Sequence, residues 1–187
     1  LAFASVFAPL ERALGWQNAY RVTLALGGVL WGWGLLALAD VLHPKRLVLG
    51  LVGFGLAHGW ALYMGFFSYW LSSALGLLVL ALALRPSEQT LARRAVLSSA
   101  LFVLALAHVF ALEAVGFVLL CVAVFEEGTA RERFGRVFRL FLVALPALLV
   151  VLVSVVLAGG LARQAVTDPL PTVSTGLLAR VGSLAHR

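Results

Sequence analysis

The sequence predicts an all-α protein, a polytopic transmembrane helix bundle of about six helices with no soluble domain. Three observations carry that prediction. Of the 187 residues, 63% are apolar and only 12% charged, and the mean hydropathy is +1.05. Ordinary soluble domains run at roughly 45–50% apolar and about 25% charged. So little polar surface cannot cover a core in water, and the apolar excess needs lipid as its solvent. Finally, the uncharged stretches 22–39, 47–84, 95–112, 114–125 and 140–162 are separated by short linkers that collect the charge.

The net charge of +6 invites a nucleic-acid partner, but its distribution argues for topology instead. Lys45, Arg46, Arg85, Arg93, Arg94, Arg131, Arg133, Arg136 and Arg139 lie in three linkers, nine of the fourteen basic residues. Cytoplasmic loops collect Lys and Arg in this way, so the basic loops are expected on the cytoplasmic side. No basic stripe interleaves with exposed aromatics, and no nucleic acid is expected as a partner. Cys121 stands alone in an apolar run, which excludes an intrachain disulfide and a thiolate metal site. The chain opens at Leu1 without an initiator Met or the flanks of a signal peptide, as an internal fragment would.

Lengths set the number of passes. One crossing of about 30 Å of hydrocarbon takes about 20 helical residues. Residues 1–18 are apolar at first but too short to span, and suit an interfacial outer segment or the end of a longer helix. Residues 22–42 form the first crossing. The run 47–84 is nearly twice the needed length, with basic linkers at both ends, and is expected to cross and return as helices 47–62 and 66–84. Its turn should fall near residues 58–69, where Gly59 and Gly65 free the backbone. Trp60, Tyr63, Tyr69 and Trp70 supply rings that settle at a membrane interface. Residues 95–125 are long for one helix and short for two. Basic clusters on both flanks favour two, 95–107 and 110–125, meeting near 108–113 at the outer face, with one long helix as the alternative. A last crossing, 140–160, tolerates Pro146 because neighbouring helices can re-satisfy the freed carbonyl. Residues 163–187 form an outer tail. Two hairpins thus turn at the outer face.

Few polar groups at membrane depth remain unexplained by loops. His58, His108, Glu113, Arg12 and Arg21 all approach the outer face in this topology, and ionisable groups there are costly enough to suggest a polar cavity. Structural roles are the alternative: neutral imidazoles capping helix ends, Glu113 in a structural ion pair, arginines snorkelling to headgroups. Metal-ligand spacings, phosphate loops and nucleophile elbows are all lacking, so no cofactor is identified and a divalent metal has no support in this segment. Gly27, Gly28, Gly32 and Gly34 are spaced for close helix packing. The hydroxyls of Ser68, Ser72 and Ser73 can bond back to helical carbonyls.

The run FAPLERALGW followed by QNAYRVTLALGGVLWGWGLLALADVLHPKR resembles the GT-C glycosyltransferases, which use polyprenyl-phosphate-linked sugars, just after their first outer loop. Arg21 matches the arginine of that region. HGWALYMGFFSYWLSSALGLLVLALAL is similar to the family's returning hairpin. It is closer still to a GFxNYxL pattern of bacterial membrane proteins in which Ser68 replaces the Asn. SALFVLALAHVFALEAVGFVLLCVAVF is similar to a helix, outer turn and helix, with Ala107-His108-Val109-Phe110 where many members carry a Thr-Lys-Gly-Pro-like turn. The resemblance spans roughly residues 1–160 and implies a multi-pass protein of the inner (plasma) membrane. It also implies a polyprenyl-phosphate-linked sugar as partner beside the lipid bilayer, and transfer of the sugar to an acceptor at the outer face. Arg21, His58 and His108 would hold the lipid phosphate, with Tyr63, Ser68 and Tyr69 lining the substrate cavity. The family's catalytic acid sits on its first outer loop, ahead of the region matched here. That leaves Glu113 as a weak candidate and the base unassigned. A non-catalytic membrane scaffold or assembly subunit and a permease-like bundle are the other readings.

Overall fold

Helix is the only regular structure among the described residues of the computed structural model, which are 2–43, 48, 51–86 and 90–167, the side chains of 60 and 158–167 excepted. Lys45, Arg46 and the expected tail beyond residue 167 lie outside the described residues. Among the described residues eight helices follow in order: α1 (Ala2–Leu14), α2 (Trp16–Leu42), α3 (Val52–Leu56), α4 (Trp60–Tyr63), α5 (Phe67–Leu84), α6 (Leu91–Ala107), α7 (Val109–Phe125) and α8 (Ala130–Thr167). Three spans, Trp16–Leu42, Phe67–Leu84 and Ala130–Leu157, are long and apolar enough to cross a membrane, and α7 is a shorter apolar helix. Two compact units divide at Val150. In the second, residues 151–167 are helical and the side chains of 152–157 exposed. The bundle described below belongs to the first.

Pairs at the helix ends define the topology. Tyr20 meets Phe67 edge-on at 5.9 Å, while at the far ends of the same helices Arg85 pairs with Asp40 at 3.3 Å. Thus α2 and α5 run parallel. Arg93, in the first turn of α6, reaches the Leu82 carbonyl near the end of α5 at 3.0 Å, so α6 runs back. His108, just before α7, lies beside Tyr69 at the start of α5, which makes α7 parallel to α5. Arg136 of α8 bonds the Ala123 carbonyl at the end of α7, and α8 returns. From α5 to α8, successive helices thus alternate in direction.

Parallel α2 and α5 oblige residues 43–66 to travel back along the bundle. A single helix over 47–62 is expected there, but the described residues form two short helices instead. Five residues of α3 rise only about 7.5 Å, so the return is made in pieces. Gly53, Gly55, Gly59 and Gly65 weaken helix propensity across this stretch. Gly53 also lets the segment approach α2 closely, since a Cβ there would lie 2.8 Å from the Trp31 carbonyl oxygen. Gly65, at φ +76°, makes the turn into α5.

An interrupted helix leaves backbone groups to satisfy, and at bundle depth that is done by protein. The Ala57 and His58 N–H groups donate to Gly53 and Gly55 carbonyls. Trp70 Nε1 donates to the Ala57 carbonyl at 2.6 Å, and Trp31 Nε1 donates to the Trp70 carbonyl at 2.9 Å. Trp70 is only 2% exposed. Expected among the interface aromatics, it is instead the core residue that ties α2, α5 and the broken segment together. Tyr63, at 77% exposure, faces outward.

The other boundaries shift for local reasons. Gly15, at φ +75°, separates α1 from α2, so helix begins at Trp16 rather than at 22. The start of α1 packs on the bundle: Ala2 is buried with Ala57, Trp70, Leu71 and Ala107, and Phe3 stacks on Phe67 at 5.0 Å. His108, extended at φ −166°, is the single residue between α6 and α7. Helix α8 begins at residue 130 rather than 140 because Thr129 and Glu132 form a reciprocal capping pair. Arg131 to Arg139 are therefore helical, and the backbone of 163–167, expected in the tail, is helical too.

Two arginines of the basic linkers act as helix caps. Arg93 donates to the Leu82 and Arg85 carbonyls at the end of α5. Arg136 donates to Ala123 at 3.1 Å and Glu126 at 2.8 Å at the end of α7, where unpaired carbonyls carry partial negative charge. Arg136→Met is expected to lower the bundle's stability by about 1–3 kcal/mol, the cost of orphaning such acceptors. Unfolding in graded sodium dodecyl sulfate measures this, and an unchanged midpoint would show that the cap contributes nothing.

Candidate functional site

At the end of the bundle away from Arg85 and Arg93, the starts of α5 and α7 lie side by side. A hollow of about 270 Å³ sits there, lined by Phe3, Gly65, Phe66, Ser68, Tyr69 and His108. Next to it, a cavity of about 340 Å³ runs between the broken segment, α5 and α7, with Trp31, Leu56, Ser73, Leu80 and Val118 among its walls. Tyr69 lines both spaces. The larger is almost wholly apolar. Its hydroxyl on Ser73 is spent on the Tyr69 carbonyl at 2.8 Å.

His108 is the polar centre of the hollow. Its backbone N–H donates to the Leu104 carbonyl, closing α6, and its carbonyl accepts from Leu112, opening α7. The ring stands edge-on to Tyr69 at 5.5 Å and tilted against Phe110 at 5.7 Å. Among the described residues, His108 Nδ1 is the buried side-chain polar atom with no hydrogen-bond partner. Such an atom costs about 1–3 kcal/mol unless something satisfies it. Burial pushes the imidazole below its ordinary value of 6.5, which favours the neutral ring. A neutral imidazole offers one donor and one acceptor.

Positive potential comes from the backbone instead. Phe67, Ser68 and Tyr69 form the first turn of α5, and His108 caps the first turn of α7. The leading N–H groups of a helix lack intrahelical partners and together carry about half a positive charge. The start of α5 opens on the hollow, whereas α7 contributes only His108, the residue at which α6 also ends. Among the described residues no Asp or Glu lines either space, and no three His, Cys, Asp or Glu side chains cluster as metal ligands would.

The expected site residues divide. Ser68, Tyr69 and His108 come together. Arg21 does not join them: Ala19, Thr23 and Gly27 form the buried stripe of α2, and Arg21 lies about 160° around the helix from Thr23, exposed on the side away from α5. His58 is exposed at the turn before α4, its Nδ1 3.1 Å from the Phe54 carbonyl. Glu113 is exposed, off the stripe Ala111, Val115 and Leu119 that α7 buries. With Tyr63, these residues line neither space. Sharing one end of the bundle does not make them one site. The contributions of Phe3, Phe66 and the start of α5 carried no motif. The nearest signal was Gly65 before an aromatic run. Comparison of the chain with protein-family models, curated proteins and solved structures finds no match.

Proposed function

We propose that this chain is an inner-membrane protein, basic loops cytoplasmic, whose bundle holds a polyprenyl-phosphate-linked sugar as the membrane core of a GT-C-like glycosyltransferase. The observation that carries the binding half of this reading is the juxtaposition at Tyr69 of an apolar cavity with a hollow at the start of α5, beside His108. A phosphate suits a helix N-terminus such as the start of α5, the Ser68 hydroxyl and the accessible part of the His108 ring line the hollow and can add hydrogen bonds, and an isoprenoid chain suits apolar walls. Transfer to an acceptor rests on the sequence resemblance alone. Its base must come from outside the residues that line the hollow, because Glu113 faces away.

A permease-like bundle draws on the broken segment α3–α4, since transporters place interrupted helices at their binding sites. The carbonyl that the break frees most deeply is Ala57, and Trp70 Nε1 already occupies it. That favours a structural break.

Binding of polyprenyl phosphate and of the uncharged polyprenol to the purified chain, followed by native mass spectrometry, tests the proposal. The phosphate form should bind more tightly. His108→Ala should weaken it by roughly tenfold or more, as expected for losing a hydrogen bond to a charged group. Equal retention of the two lipids, or binding indifferent to His108→Ala, removes the headgroup site and the transferase reading with it.

A further inference from the structure

The opposite end of the bundle holds a second hollow, about 260 Å³ in volume, between α5, α6, α7 and α8. Four arginines line it, Arg93, Arg94, Arg136 and Arg139, against one carboxylate, Glu126. Its depth is apolar, with Leu97, Leu119 and Val143 among the walls.

The charges divide by task. Arg93 and Arg136 are committed to the terminal carbonyls of α5 and α7. Glu126 is committed to Arg136, at 3.5 Å. Two guanidinium groups therefore remain uncommitted. Arg94, exposed on α6, bonds no described residue through its side chain. Arg139, exposed on α8, spends only Nε, on the Gly135 carbonyl of its own helix at 3.2 Å, which leaves its terminal amino groups free to face an anion. These two come from different helices onto one hollow, and among the described residues that line it no further carboxylate faces them.

We infer that this hollow binds the phosphate of an anionic phospholipid, with Arg94 and Arg139 as its contacts and an acyl chain along the apolar wall. Guanidinium donors match the oxygens of a phosphate in bidentate geometry. A soluble anion would leave the leucine and valine walls uncovered, whereas an amphiphile covers both parts. Basic pockets between membrane helices bind anionic headgroups on the same physical grounds. The inference is independent of the His108 hollow, with which it shares no residue.

The full chain, purified in detergent, is titrated with phosphatidylglycerol and with phosphatidylcholine, and retained lipid is counted by native mass spectrometry. Inorganic phosphate serves as competitor. Phosphatidylglycerol should be retained in preference to phosphatidylcholine. The double variant Arg94→Gln/Arg139→Gln should weaken that retention by roughly tenfold to thirtyfold, at about one arginine's attraction each. Its helical circular dichroism and unfolding midpoint should stay unchanged, because neither side chain bonds another helix. Equal retention of the two lipids, undiminished phosphatidylglycerol in the double variant, or full displacement of the lipid by millimolar phosphate would overturn the assignment.

Discussion

Replacing Trp70 with alanine is expected to destabilise the bundle by about 3–5 kcal/mol, the range for emptying a buried aromatic site. The site has little room to collapse. Trp70 lies against Gly27 of α2, is buried with Ala57 and Ala107, and its indole holds the Ala57 carbonyl at the break of the return segment. Removing it opens a cavity and leaves that carbonyl unpaired in a place water cannot reach. Trp70→Phe separates the two costs, because it keeps most of the ring and loses only the donor. A loss of about 1–3 kcal/mol is expected for the phenylalanine variant. Both are read from unfolding in graded sodium dodecyl sulfate. An alanine variant as stable as the parent would mean that the return segment is held by something other than the indole.

Gly27→Ala tests the same contact from the other side. A Cβ at this position falls inside the six-membered ring edge of Trp70. The ring cannot swing aside, since hydrogen bonds at its Nε1 and its backbone carbonyl fix the residue. Overpacking of this kind costs about 1–3 kcal/mol. The decisive measurement is the double-mutant cycle. In a Trp70→Ala background the added methyl enters the vacated space, so Gly27→Ala should become neutral or stabilising, with coupling of about 0.5–3 kcal/mol. Additive effects would place the glycine's role elsewhere. Gly28, beside it in the sequence, meets nothing across the helix surface and serves as the control.

Spacing alone marked Gly27, Gly32 and Gly34 as packing positions, and each does face a neighbour: Trp70, Phe54 and α5 respectively. Spacing could not tell Gly28 from them, because which side of α2 is covered depends on where α5 lands. The split of residues 95–125 at His108 was legible too, from charge on both flanks. The break inside 47–62 was not. Hydropathy sees an apolar run there, and glycine content weakens a helix without saying where it parts. Trp70 was misplaced at the interface for a related reason: an indole suits either a headgroup region or a buried carbonyl, and the Ala57 carbonyl becomes available only once the helix is broken. The site shows the same limit. Ser68, Tyr69 and His108 were named as candidates from sequence, but Arg21 was grouped with them because both lie near one end.

What the sequence determined by itself is the presence of long apolar helices and their order. Apolar excess demands a bundle of long apolar helices, and the basic linkers pair the helix ends, both properties of composition and length. Tertiary structure alone decided which side of each helix is covered. From that follow the interrupted return segment, the placing of His108 beside the start of α5, and the pair of arginines left over once Arg93 and Arg136 cap their carbonyls. A rotation of about 100° per residue separates neighbours on a helix. Polar groups close in sequence or in depth can therefore point to opposite sides, and only packing chooses between them.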